Sequence, residues 1–192
     1  MNITVLAAGA WGTALAIAFA GRHRVTLWTR DAAQAADLHA QRENTQYLPG
    51  FRLPDDLAVT TDLAAAVKGA DLLVVATPIS GLRSTAEAIR DLGVAVPFLW
   101  VCKGFEAGSG HLPHQVLREV LGEGQGTYGA LSGPSFAQEV AGGLPTALAL
   151  AANNPTFART MARELHTGRL RVYATTTWPA SRWAAPSRMS WP

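Results

Sequence analysis

Short apolar runs alternate with stretches of helical spacing from residue 2 to about residue 173. Asn2-Ile3-Thr4-Val5-Leu6, Val25-Thr26-Leu27-Trp28 and Leu57-Ala58-Val59-Thr60 read as strands. So do Leu72 to Ala76, Phe98 to Val101, Tyr128 to Leu131, Thr146 to Ala151 and Leu170 to Tyr173. Leu72-Leu73-Val74-Val75-Ala76 is apolar throughout, as in a strand buried on both faces of a parallel sheet. Between these runs the pattern predicts helices over Thr13 to Ala20, Asp31 to Arg42, Leu63 to Lys68, Ser80 to Leu92, His114 to Leu121 and Pro155 to Leu165. Asp62 is placed to cap the third of them, and Pro155 suits the first turn of the last. The Asp31–Arg42 segment offers Ala32, Ala35, Ala36 and Leu38 as its apolar face. His39 interrupts that face, which predicts shallow burial. Asn44 to Gly50 reads as a loop closed by Pro49-Gly50.

Strand and helix in alternation argue for one α/β domain, a doubly wound and mostly parallel sheet with helices on both faces. Its expected extent is 1–176, followed by an irregular segment at 177–192. Such sheets bind ligands outside the carboxyl ends of their strands. Three segments are expected at such ends: Ala7 to Gly12, Lys103-Gly104, and Ser132 to Ala137.

Composition narrows the classes. Of 192 residues 48% are hydrophobic and 16% charged, so a packed core is expected and disorder is not. The net charge of +2 comes without any Lys/Arg run, which argues against a nucleic-acid partner and suits a small anionic ligand. Cys102 is the one cysteine, so no internal disulfide can form and a reducing, cytoplasmic setting fits. The N-terminus enters a strand directly, without the features of a signal peptide, and no apolar run approaches the ~20 residues that span a bilayer.

The first thirty residues carry the most specific pattern. Strand, small-residue turn, helix and strand form the unit that binds dinucleotides, with the pyrophosphate on the N–H groups of the helix N-terminus. The glycine pattern is incomplete. Gly9 permits phosphate approach and Gly12 permits helix–strand packing, but Ala7 stands where the tight-turn glycine belongs. If that position needs a positive φ, alanine costs roughly 1–2 kcal/mol. A tight turn without a ligand is the alternative reading.

The remaining candidates each carry two readings. Lys103 is either an exposed loop cation or a point charge for a phosphate or substrate oxyanion. Ser132-Gly133-Pro134-Ser135 is either a strand-to-helix connection with Ser135 as N-cap or a ligand-contacting loop, and one geometry serves both. Arg30 follows the second strand, where an acid would favour NAD and an arginine accommodates the 2′-phosphate of NADP. Asp31 is adjacent, so NAD and NADP both stay open. Trp11 is a cofactor wall or a packing residue. His111 and His114 lack a third ligand and read as surface residues, so no metal site is expected.

Taken together, several ordered motifs resemble the bacterial type of NAD(P)-dependent glycerol-3-phosphate dehydrogenase. They are Ala8 to Ala16, Trp28-Thr29-Arg30-Asp31, Asn44 with Tyr47-Leu48-Pro49-Gly50, Cys102-Lys103-Gly104, Leu131 to Ala137 with Glu139, and Gly143-Leu144-Pro145-Thr146. The resemblance covers residues 1 to about 176. It implies a Rossmann-type fold and reversible hydride transfer between NAD(P)H and dihydroxyacetone phosphate or glycerol 3-phosphate, in the synthesis of glycerophospholipid precursors. It implies cofactor contacts at Ala10, Trp11, Arg30, Lys103 and Ala137, with Tyr47 as a further one, beside Gly9 and Gly12 of the turn. It implies substrate contacts at Lys103, Gly133 and Ser135, and a homodimer for the full-length family. Related hydroxyacid or phosphogluconate dehydrogenases fit Lys103 with Ser132 to Ala137 less well.

The resemblance also implies a helical substrate domain carrying G-V-E-x-G-G-A-L-K-N, whose lysine is the proposed proton donor/acceptor. The expectation is that this domain is absent here, because the resemblance stops near residue 176 and residues 178–192 read Trp-Pro-Ala-Ser-Arg-Trp-Ala-Ala-Pro-Ser-Arg-Met-Ser-Trp-Pro. One back-translation of this stretch, entered one nucleotide earlier, encodes D-V-A-G-V-E-V-G-G-A-L-K-N-V-L-A. The expectation is a frameshifted, truncated product that retains no catalytic residue, is inactive and exposes apolar surface. A divergent natural tail is the alternative, and a non-catalytic NAD(P)-binding module is the alternative function.

Overall fold

The computed structural model describes residues 1–122 and 126–176; the irregular segment expected at 177–192 lies outside the described residues. In chain order the elements are β1 (Asn2–Leu6), α1 (Ala10–Ala20), β2 (Arg24–Trp28), α2 (Ala32–Gln41), β3 (Glu43–Asn44) and β4 (Leu48–Arg52). There follow β5 (Ala58–Thr60), α3 (Leu63–Lys68), β6 (Leu72–Val75), α4 (Ile79–Asp91), β7 (Phe98–Trp100) and α5 (Pro113–Leu121). The last are β8 (Tyr128–Ser132), α6 (Ala137–Ala141), β9 (Thr146–Ala152), α7 (Pro155–Leu165) and β10 (Leu170–Ala174).

Polar side chains start several of the helices. Asp62 Oδ1 accepts from the Ala65 N–H at 3.0 Å ahead of α3. Asn154 Oδ1 accepts from Thr156 and Phe157 ahead of α7, with Pro155 in its first turn. Each such oxygen satisfies donors that no helical carbonyl can reach.

Eight strands form one sheet in the order β10-β9-β8-β7-β6-β1-β2-β5. Every neighbouring pair is parallel except β8 and β9. Alternation along a strand divides its side chains between two faces. In β6, Leu72 and Val74 join Ile3, Val5, Leu15 and Phe19 in one cluster. Leu73 and Val75 join Leu82, Ile89, Trp100 and Leu117 in the other. All four β6 residues are buried, as the unbroken apolar run predicts.

Three local expectations need correction. Asn44 to Gly50 is not a plain loop: β3 and β4 pair antiparallel there, Asn44 opposite Leu48 with a register shift. Pro49 and Gly50 lie inside β4 and not in its turn, and Gly50 has φ +86. Helix α1 begins at Ala10, three residues before the apolar period becomes visible, so Trp11 and Gly12 are helical. In α2 only Ala35 and Leu38 are buried, because the ten-residue helix leans on its middle while Ala32 and Ala36 face outward. His111 and His114 are partly buried at the surface. His111 Nδ1 lies 3.1 Å from a Glu119 oxygen, and burial followed by the Arg118 charge lowers the pKa of His114.

Among the described residues no helix is long and apolar enough to cross a membrane.

Candidate functional site

Strands β2, β1, β6, β7 and β8 are neighbours and parallel, so their carboxyl ends form one row. At roughly 4.8 Å per strand, the row from β2 to β8 spans about 19 Å. Along it stand Arg30 after β2, the turn of Ala7 to Gly9 after β1, Thr77 after β6, Lys103 after β7 and Gly133 to Ser135 after β8. The order of the chain changes direction between β1 and β6, which is where open α/β sheets receive ligands.

The turn after β1 answers the question posed by its missing glycine. Ala7 has φ +89, in the region L-residues avoid. Its N–H is held by the carbonyl of Trp28 at 3.0 Å. A Cβ at Gly12 would meet the Ala7 carbonyl oxygen at 2.0 Å and the Ala76 methyl at 3.1 Å, so α1 packs on β1 and β6 only through a glycine. Gly9 is different: nothing lies within 4 Å of where its Cβ would be. It is the N-cap of α1, and no side chain caps that helix. The first N–H groups of α1 therefore have no side-chain acceptor at the cap, the arrangement that suits an anion. Ala7→Gly should raise folding stability by about 1 kcal/mol, the left-handed penalty less the entropy a glycine adds to the unfolded chain. Chemical denaturation measures it, and a destabilised variant would contradict the strain argument.

The other predicted residues fall into place as follows. Trp11 is partly buried and packs on the larger core cluster, as does Ala137; Ala10 is partly buried in the first turn of α1. Arg30 is exposed, whereas Thr29 beside it is buried. Asp31 Oδ1 accepts from the N–H groups of Ala33 and Gln34 at 2.9 and 3.2 Å, so its carboxylate is spent on starting α2. Tyr47 is 49% exposed in the turn of the β3–β4 hairpin. Lys103 Nζ donates to the Gly133 carbonyl at 3.4 Å, which brings two of the three expected segments into contact. Gly133 itself is required by packing, since a Cβ there would lie 2.5 Å from the Ala147 carbonyl oxygen. Ser135 is not a helix N-cap. Phe136 is, and its N–H donates to Glu139 Oε2 at 3.2 Å. Ser135 Oγ is instead buried without a hydrogen-bond partner among the described residues.

The loop after Lys103 is fastened from behind. Arg83 of α4 donates through Nε and Nη2 to both oxygens of Glu106, each at 2.8 Å, and reaches Glu119 at 2.7 Å. The hydrogen bond from Arg83, then that from Ser109, holds the Glu106 carboxyl down to about 2. A depressed carboxylate stabilises the fold above its ordinary pKa and loses that contribution only as pH falls through the lowered value. The fastening thus persists well into acid. Burial pushes the Cys102 thiol up to about 12, so this neighbour of Lys103 is a protonated thiol and not a nucleophile.

Reasoning from sequence did not single out Thr77, Gln34 or Asn44 as candidates, and all three lie around the turn and its neighbouring strand end. Thr77 Oγ1 is buried without a hydrogen-bond partner among the described residues, just past β6, the strand next to β1. Asn44 is 2% exposed and holds the turn, with Gln34 beside it. Among the described residues no group of three or more His, Cys, Asp or Glu side chains could hold a metal ion.

Comparison with known proteins gives consistent neighbours. Residues 2–158 match a family model described as the NAD-dependent glycerol-3-phosphate dehydrogenase N-terminus. A glycerol-3-phosphate dehydrogenase, NAD(P)+, of Dechloromonas aromatica is 63% identical over 174 residues, covering 91% of this chain and 53% of that protein. One of Aromatoleum aromaticum is 52% identical with the same coverage. The crystal structure of glycerol-3-phosphate dehydrogenase from Coxiella burnetii superposes with a TM-score of 0.84 at 34% identity, over 91% of this chain and 54% of that one. The chain spans about half the length of the curated relatives it matches.

Proposed function

The chain belongs to the NAD-dependent glycerol-3-phosphate dehydrogenase family through its N-terminal region, and on that premise we propose that residues 1–176 are a domain that binds NADP(H) in preference to NAD(H). The observation that carries this reading is the uncapped N-terminus of α1, open at Gly9 and placed where the order of the sheet reverses. The pyrophosphate is assigned to those N–H groups. The adenosine end is assigned to the β2 side, beside Arg30 and Tyr47. The nicotinamide is assigned to the β6–β7 side, near Thr77 and Lys103, with Ala10, Trp11 and Ala137 completing the walls. A bound nicotinamide would supply or accept hydride; the residues assigned in this chain hold and orient the ligands.

The preference follows from what the end of β2 offers. An acid that selects NAD must be free to meet two ribose hydroxyls, and Asp31 is turned into α2. Arg30 is exposed and has no hydrogen bond or ion pair among the described residues. A guanidinium there suits a 2′-phosphate.

For the substrate we assign a small phosphorylated alcohol or ketone, glycerol 3-phosphate or dihydroxyacetone phosphate, to the β7–β8 side. Lys103 supplies the positive charge and Ser135 a buried hydroxyl in want of a partner. A buried hydroxyl without a hydrogen bond is costly, and a ligand oxygen would relieve it. A cytoplasmic location belongs to the same reading, in keeping with the single buried thiol.

Titrating NADPH and NADH while following tryptophan fluorescence tests the assignment. NADPH should bind the more tightly, and Arg30→Ala should weaken NADPH about tenfold while leaving NADH within twofold, the loss of one charge-assisted contact. Equal affinities in the parent chain, or an equal effect on both cofactors, would overturn the preference. The absence of binding at millimolar cofactor would overturn the domain's proposed role.

A further inference from the structure

We infer that Asn44 and Gln34 are positioning residues of the pyrophosphate site: their side-chain amides turn the Ala8 carbonyl inward and so aim the Gly9 N–H outward at the ligand. The inference rests on the cofactor reading above for the identity of the ligand, but not for the geometry of the clamp.

Two donors converge on one oxygen. Asn44 Nδ2 donates to the Ala8 carbonyl at 2.9 Å, and Gln34 Nε2 donates to it at 2.8 Å. A carbonyl oxygen has two lone pairs, and both are used. Each amide is oriented in turn. Asn44 Nδ2 also donates to Thr13 Oγ1 at 2.7 Å, and Asn44 Oδ1 accepts from the Tyr47 N–H at 3.3 Å. Gln34 Oε1 accepts from Thr29 Oγ1 at 2.6 Å. Thr13, Thr29 and Asn44 are all buried. Four elements or their ends thus contribute to holding one peptide group: β2, α2, β3 and α1.

The consequence for the ligand is a matter of peptide planarity. No peptide bond is cis among the described residues, so the Gly9 N–H points opposite to the Ala8 carbonyl. With the oxygen drawn inward, the N–H is turned the opposite way, at a residue where an added Cβ would meet nothing within 4 Å. The same clamp sits one residue from Ala7, whose φ of +89 needs outside support in a residue with a side chain. Asn44 lies in the hairpin that carries Tyr47, so the turn and the hairpin are mechanically one piece.

The test compares ligands that do and do not carry a pyrophosphate. The 192-residue protein and its Asn44→Asp, Asn44→Ala and Gln34→Ala variants are titrated calorimetrically with NADPH, ADP and adenosine 2′-monophosphate. Asn44→Asp keeps the shape and the acceptor for Tyr47 but removes both donors. Gln34→Ala acts from the edge of the network, where folding is at less risk. NADPH and ADP should weaken about tenfold, and adenosine 2′-monophosphate, which reaches Arg30 without touching the turn, should stay within twofold. An equal loss for all three ligands, or no loss in folded variants, would overturn the positioning role. Backbone couplings measured by NMR without ligand test the clamp independently. The Ala7 φ should leave the positive region in the Asn44 variants, and its retention there would overturn the clamp even if no ligand bound the parent chain.

Discussion

Replacing Gly12 by alanine is expected to lower folding stability by about 3 kcal/mol, at the upper end of what overpacking costs. For a chain of this size that is roughly 6–12 °C in Tm. The magnitude comes from what the new methyl would meet. The Ala7 carbonyl oxygen stands 2.0 Å from its position and the Ala76 methyl 3.1 Å. Neither is the tip of a flexible side chain that could swing aside. Ala7 is already at φ +89, so its peptide has little freedom left to yield. The alternative is for α1 to lift off β1 and β6, opening the Ile3, Leu15 and Phe19 packing beneath it. Gly9→Ala is the control from the same turn. Its φ of −75 suits any residue and its Cβ would enter open space, so stability should fall by no more than about 1 kcal/mol, the cost of a poorer N-cap. Cofactor affinity should fall regardless, because that open space is the proposed pyrophosphate site. Urea unfolding separates the two variants. A Gly12→Ala midpoint within 1 kcal/mol of the parent, or a Gly9→Ala variant as unstable as Gly12→Ala, would contradict the packing argument.

The second large effect concerns turnover. With NADPH and dihydroxyacetone phosphate, the 192-residue chain should work at least about 100-fold more slowly than a chimera that continues, after residue 174, into the remaining half of the Dechloromonas aromatica relative. Delivering a proton to the carbonyl oxygen as hydride arrives calls for a positioned acid–base group, worth typically 10²–10⁴-fold. Residues 104–192 contain no lysine. Lys103 is engaged with the Gly133 carbonyl and is assigned to holding the substrate. The Cys102 thiol, raised to about 12 by burial, is a poor proton donor at neutral pH. Phe105, Phe136 and Leu144 are 58, 74 and 54% exposed, which leaves apolar surface that a second layer of protein would cover and from which it would exclude water. Steady-state NADPH oxidation by both proteins decides the matter. Comparable kcat values would remove the need for a further proton-transfer residue and would favour Lys103 itself in that role.

The parts of this arrangement legible in the sequence are those with a period. Nearly every strand and helix of the main sheet is announced by spacing, because burial on one or two faces imposes it. What lacks a period is harder to read. The β3–β4 hairpin is two and five residues long with Pro49 inside it, too short to alternate visibly. The start of α1 is hidden by small residues that pack through their backbone and not through a side chain. Ala7 illustrates the boundary: sequence can state that its cost depends on the sign of φ, and only the fold supplies +89. Gly133 illustrates another, since a glycine wanted by a neighbouring strand and a glycine wanted by a ligand look the same in a sequence. Asn44 stands out in the sequence only as part of a motif. Its task is set by a carbonyl 36 residues earlier, and no local pattern encodes such a partner.

The strand order carries a consequence for how the protein is made. Strand β1 leaves the ribosome before the other strands yet ends in the interior of the sheet, between β2 and β6. Its β2 neighbour is available once residue 28 is out, but its other edge waits for Leu72 to Val75. During that interval Ile3, Val5 and Leu6 present a bare strand edge to solvent, the kind of template that recruits wrong partners. Gly12 rests on Ala76, so the turn encoded earliest is completed only when more than a third of the chain has been translated. Strands β7 to β10 then extend the sheet outward on that side in the order they are synthesised. The stretch of translation most exposed to misassembly is therefore residues 29 to 75, and slowing or speeding the ribosome there should change the yield of folded protein more than doing so at any later point.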